Sequence, residues 1–233
     1  MGRKAIANIM AVLVLVGLTG CLRQAPGQEQ RPQSPGNAPA DDVFVWALDE
    51  QDAWDDEGIG RCVYDIRIPH LAADTPSAGS LNAQIDFLFT DEARRCLEHP
   101  RDTSYTVTAT LSTANGIASI HLHQQSAPSY GTDGRAYAVA YSIAEDCILT
   151  PGYMLNARGQ DRAELLDALW RRLQQGGLTG LEYLDIGGAA LSGDGELILL
   201  LNGLIHPEGA DAWKTIRYYN VDTDELLSAF PAG

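Results

Sequence analysis

Asp49, Glu50, Asp52, Asp55, Asp56 and Glu57 place six carboxylates within nine residues, around Trp54 and shortly after Trp46. Like charges packed this closely repel one another and favour a bound cation, while an exposed indole stacks on a sugar or holds Arg or Lys by cation–π contact. A basic protein or Ca²⁺ suits such a stretch, although the alternating ligands, central Gly and closing Glu of an EF-hand loop are missing. Its plainer reading is a solvated loop between two strands. His121 and His123 lie two apart in a strand-like run, so both project from one face, in line with Ser119 and Gln125. Two imidazoles there can begin a zinc site if His70, His99 or His206 supplies a third ligand; otherwise they are polar residues on an open sheet face. A third group, His206, Glu208, Asp211 and Trp213, combines a base, acids and an aromatic in one loop, the kind of element that carries binding on a rigid scaffold.

The survey for nucleophilic chemistry is poorer. No nucleophile elbow, phosphate loop or Cys/His signature occurs, and Cys147 sits beside Asp146, whose charge disfavours a thiolate. No catalytic residue, metal or cofactor is assigned. The binding candidates are Trp54, Asp55, Asp56, Glu57, His206, Glu208 and Trp213.

The elements that must position these residues read as hairpins and helices. Val43 to Leu48 and Ile59 to Ile68 are rich in strand formers, and Cys62, Tyr64, Ile66 and Ile68 alternate with Arg61, Asp65 and Arg67. Leu81, Ile85, Leu88, Phe89, Ala93, Cys96 and Leu97 recur at three- and four-residue steps, predicting an amphipathic helix entered from Pro76 and Ser77. Alternating runs on either side of Asn115-Gly116 form the strongest short-range hairpin signal, because both turn positions favour positive φ. Ala136 to Ala144 adds a strand. Asp161 to Gln175 predicts a second helix, with Ala163, Leu166, Leu169, Trp170 and Leu173 on one face and Gly176-Gly177 ending it. Leu181 to Ile186, Ala189 to Leu191 and Glu196 to Leu201 give another hairpin, Lys214 to Val221 a last strand, and Thr223 to Ala229 a short helix. This order predicts an α+β domain: an antiparallel sheet built from hairpins, with two main helices packed on one face.

Composition and the N-terminus speak to location. The 233 residues carry 31 acidic against 16 basic side chains, a net charge of −15, which repels nucleic acid and anionic lipid. Nucleic-acid binding is excluded on this ground. Ile6 to Leu18 is apolar but only thirteen residues long, about 20 Å of helix, short of the roughly 30 Å hydrocarbon core. Arg3 and Lys4 precede it and small residues follow, as in a removable secretory signal. Leu18-Thr19-Gly20-Cys21 resembles the lipobox of bacterial lipoproteins. That resemblance implies lipidation at Cys21 and a chain tethered by acyl groups to an envelope membrane, inner or outer, facing outside the cytoplasm. Residues 1–20 are then the signal peptide, and 21–42 a Pro-, Gln- and Gly-rich tether too polar to order itself. Residues 43–233 form one domain, large enough for a real core. Of Cys62, Cys96 and Cys147, an oxidising compartment permits one bridge; Cys62 with Cys96 is the pairing expected, and the other two stay open.

The pieces "VYDIRIPHL" and "LNAQIDFLF", then "YTVTATLSTANGIASIHLHQQ", "AYAVAYSI" with "LTPGYML", and finally "LSGDGELILLLNGLIHPEGADAWKTIRYY" follow one another in an order that resembles an extracytoplasmic domain family. Its members include the lysozyme-sensing portion of certain anti-sigma factors and the non-catalytic N-terminal region of some peptidoglycan deacetylases. The resemblance spans about residues 60–228 and implies envelope recognition by a module without a catalytic domain. The expected function is therefore a lipid-anchored envelope module that binds or senses a cationic protein or a cell-wall glycan such as peptidoglycan. The alternatives are a metal-assisted hydrolase using His121 and His123, and a purely structural envelope lipoprotein. Oligomeric state is not indicated.

Overall fold

The computed structural model describes residues 42–58, 60–98, 104–126, 133–206, 209 and 211–231. The predicted signal, Cys21 and all but one residue of the tether lie outside them. An α+β fold is observed, with its strands divided between two sheets. The first has six strands in the order β1-β2-β3-β4-β5-β6: β1 Phe44–Asp56, β2 Gly60–Leu71, β3 Ser104–Ala114, β4 Ile117–Ser126, β5 Asp133–Ser142 and β6 Cys147–Leu149. The second is an antiparallel meander, β7 Leu181–Leu191, β8 Leu197–Ile205, β9 Trp213–Asn220 and β10 Glu225–Leu227.

The acidic stretch is strand where a loop was expected. β1 runs on to Asp56 because β2 supplies a full ladder and specific partners: Trp54 stands opposite Cys62 and Asp49 opposite Arg67. The turn closing this hairpin needs Gly60 at φ +97°, a conformation open to glycine at no steric cost.

From β2 the chain enters helix α1, Pro76–Ile85, passes through one π-helical turn at Asp86–Thr90, and continues as α2, Asp91–Glu98. Thr75 caps α1 through the Ala78 amide, and Pro76 takes the first turn, where no amide donor is required. The Thr75 hydroxyl also donates to Asp146, tying the helix start to the turn after β5. Leu81, Ile85, Phe89 and Ala93 are buried at successive four-residue steps. Each step overshoots an α-helical turn of 3.6 residues, and the wider π turn absorbs the excess, keeping all four on the core. This helical crossover returns the chain parallel to β2, so β3 pairs with Val63–Ile66 in parallel, a departure from the expected antiparallel pairing. The β3–β4 hairpin closes as predicted, with Asn115 at φ 55° and Gly116 at φ 74°.

Two further elements, β6 and the short helix α3, Pro151–Asn156, were not predicted; Thr150 caps α3 through the Tyr153 amide. Helix α4, Arg162–Gln175, matches its predicted range, but it buries Leu165, Leu169 and Leu173 and leaves Ala163 exposed. The predicted C-terminal helix is absent: Asn220 Oδ1 accepts from the amides of Asp222 and Thr223, Asp224 adopts φ 57°, and the chain turns into β10 against β9.

The helices are shared out between the sheets. α1 and α2 cover one face of the first sheet, around Ile66, Ile68, Ile120 and Leu122. The second sheet lays Ala190, Ile198, Leu200 and Tyr218 toward Ala138 of the first and turns its other face to α3 and α4. Every residue of β8 from Leu197 to Leu201 is thus buried, on alternating sides.

Candidate functional site

The structure scatters the predicted site residues into three places. His121 is the most enclosed. The first sheet's face carrying Ser112, Ser119 and His121 is covered by the second sheet, correcting its expectation as open surface. Ser112 donates to the Leu191 carbonyl at 2.6 Å, and the Leu191 amide donates to Ser119 at 2.9 Å. His121 Nε2 shares a 2.9 Å hydrogen bond with Tyr218, and its ring stacks on Phe230 at 4.3 Å and 6°. Burial, with a smaller contribution from His123, lowers the His121 pKa to about 3, so the ring is neutral at ordinary pH. Tyr218 is pushed up to about 12 by burial. This group fastens one sheet to the other. His123, half-buried, is its neighbour along the strand. Of the three ligands that could complete a zinc site, His70 bonds Asp86 at 3.0 Å, His206 bonds Glu182 at 3.0 Å, and His99 lies outside the described residues. Among the described residues no three His, Cys, Asp or Glu side chains gather as a metal site.

The β8–β9 connection holds His206 and half-exposed Trp213 at the outer end of the second sheet, Trp213 opposite Ile205. Glu208 lies outside the described residues. Trp213 and Trp54 belong to different sheets.

The third place is the β1–β2 ribbon at the edge of the first sheet. On its outer face Asp49, Gln51, Ala53 and Asp55 stand opposite Arg67, Asp65, Val63 and Arg61. Arg67 lies 3.7 Å from Asp49 and 3.8 Å from Asp65, exposed contacts that contribute little in water. The face turned toward the helices is different. Leu48, Glu50, Asp52 and Trp54 oppose Ile68, Ile66, Tyr64 and Cys62, so Glu50 and Asp52 are exposed with no cation across the ladder. Trp54 stacks flat on Tyr64, centroids 5.0 Å apart at 3°, and Tyr64 meets Tyr105 at 6.5 Å. The result is a partly exposed indole, backed by buried Tyr64 and beside two carboxylates, fit to take an ammonium or guanidinium head while its aliphatic stem lies on the Trp54 ring. Asp55 and Glu57 are exposed nearby; Asp56 is on the strand.

No protein-family model and no curated protein matches the chain. Among solved structures it is similar to the crystal structure of a DUF3298 family protein from Pseudomonas aeruginosa PAO1, at 13% identity over 73% of this chain and 88% of that one, with a TM-score of 0.42. The residues above are therefore read on their own geometry. Sequence reasoning found the carboxylates and Trp54, but missed Tyr64 as the ring beneath Trp54 and Ser112 and Phe230 as partners at the sheet junction. The alternation of Tyr64 with Trp54 in a shared hairpin was the available signal for the first; none announced the others.

Cys62 lies on the face of β2 turned to the helices, and Cys96 is on α2, packed against the same core; Cys147 belongs to the core on the far side, with α3 and α4.

Proposed function

We propose that this chain is an exported, lipid-anchored module of the bacterial envelope that binds a cationic partner through the β1–β2 ribbon, with no catalytic step of its own. The observation that carries the reading is the pairing of exposed Glu50 and Asp52 with the Trp54–Tyr64 stack at a sheet edge, where the residues opposite them, Ile66 and Tyr64, carry no positive charge. Exposed charges attract over about 8 Å at physiological ionic strength and less at higher salt. Binding of a basic protein such as lysozyme should weaken at least about tenfold between about 0.05 and 0.5 M salt, and again in Glu50→Gln/Asp52→Asn. Affinity indifferent to both changes would rule the ribbon out as the binding surface.

Anchoring follows from the Leu18-to-Cys21 box. In the mature protein, mass spectrometry should find an acylated Cys21 as the first residue, and Cys21→Ser should leave the detergent phase for the aqueous one. An unmodified N-terminus with an intact leader would defeat the anchoring half of the proposal. The same spectrum tests a Cys62–Cys96 bridge, which lowers the mass by two hydrogens; its absence under non-reducing conditions would remove that pairing.

A further inference from the structure

The backbone of β1 bears on how a partner would be held. β1 ends the first sheet, with β2 as its strand neighbour, so alternate amides and carbonyls along it point away from the sheet. From Leu48 to Asp56 it pairs with β2 without a register shift, after an irregularity between Trp46 and Leu48. That leaves a regular run of edge backbone long enough to template another strand. The Ala53 amide donates to the Asp52 carboxylate at 2.8 Å, a local bond that an incoming carbonyl can replace. A second copy of β1 is the wrong occupant. It would set Asp49, Glu50, Asp52 and Asp55 against another row of carboxylates, and like charges directly opposed destabilise a strand pair. A basic strand meets the opposite situation: side chains on one of its faces reach Glu50 and Asp52 beside the Trp54 ring.

We propose that β1 takes up an extended segment of its partner, bearing Lys or Arg at alternate positions, as an additional strand of the first sheet. The edge backbone supplies the site and the carboxylates select the sign of what fills it. This rests on the cationic-partner reading above. The test uses the mature chain and an eight-residue peptide alternating Lys and Val, beside two versions N-methylated on one or the other set of alternate residues. All three carry the same charge, but methylation on the edge that faces β1 removes the donors and blocks pairing, whereas on the far edge it does not. Binding followed by Trp fluorescence at low salt should be at least about tenfold weaker for one methylated peptide and near normal for the other. Glu50→Gln/Asp52→Asn should weaken the unmodified peptide by a similar factor. Equal affinity for all three peptides would overturn strand addition and leave charge-driven binding standing. No binding of any peptide would overturn both. Sedimentation showing a dimer of the chain that the peptide breaks up would assign the edge to a second copy and also overturn the proposal.

Discussion

Gly188→Ala should cost about 3 kcal/mol or more, enough to lower the melting temperature by roughly 10 °C in a chain of this size. A Cβ on Gly188 would lie 2.3 Å from the carbonyl oxygen of Ala138 and 3.1 Å from its carbonyl carbon. Those are backbone atoms of β5, held in the ladder to β4 where Ala138 pairs with His121, so they cannot swing aside as a side-chain tip would. Either the β7 bulge between Ile186 and Gly188 must reshape or the two sheets must part. The damage would spread to Leu191, whose amide and carbonyl are held by Ser119 and Ser112. Gly79→Ala is the matching control: it lies in α1 with open space at the Cβ position and should stabilise by about 0.5–1 kcal/mol through helix propensity. Thermal or denaturant unfolding of both variants measures the contrast. A Gly188→Ala midpoint within a degree of the parent would mean that the sheets do not meet as described.

The second large effect is in acid. His121 is neutral in the folded protein, its pKa lowered to about 3 by burial and by His123, whereas in the unfolded chain it protonates near 6.5. The unfolded state therefore binds more protons between those values, and stability falls as pH is lowered through that window. Above about pH 6.5 the group makes no difference; below about 3 both states are protonated and the loss is complete. The full penalty is on the order of 4 kcal/mol. Physically, an imidazolium would have to form between the Phe230 ring and the Tyr218 hydroxyl, with no carboxylate against it among its described contacts. Urea midpoints from pH 7 to 4 should fall more steeply in the parent than in His121→Gln, which keeps a polar group but cannot titrate. Carboxylates also titrate in the lower part of this range, so the difference between the two slopes, and not the parent slope alone, isolates His121. Parallel slopes would mean that the ring reaches water.

Local pattern was enough to place much of this fold. Helix α4, the Asn115-Gly116 hairpin and the apolar stripe of α1 and α2 depend on neighbours three or four residues away, or on a turn that only certain residues can make. The π turn was concealed because four-residue spacing reads equally as a slightly drifting α-helix. What escaped depends on distant partners. Six acidic residues in nine favour a loop by composition, and only β2, with Tyr64 beneath Trp54, holds the five from Asp49 to Asp56 in a strand. The parallel β2–β3 pair arises from the direction in which a helix returns the chain. The face of His121 was legible from alternation, yet its cover, Tyr218 and Phe230, comes from 97 residues and more further along. Of the proposed binding residues, Trp54 and its acidic neighbours lie together, whereas His206 and Trp213 belong to another sheet.

β8 has a further consequence. Leu197, Ile198, Leu199, Leu200 and Leu201 meet water only before the molecule has formed, because both sides of that strand are closed off afterwards. Five consecutive β-prone aliphatic residues make a sticky segment in a newly made chain, able to pair with its counterpart in another molecule. Asp194 and Glu196 stand immediately upstream, where charge discourages such stacking. Polypeptide released late or in excess should clump through this segment first, so a holding chaperone would be expected to grip the C-terminal half of the molecule and leave its acidic front alone.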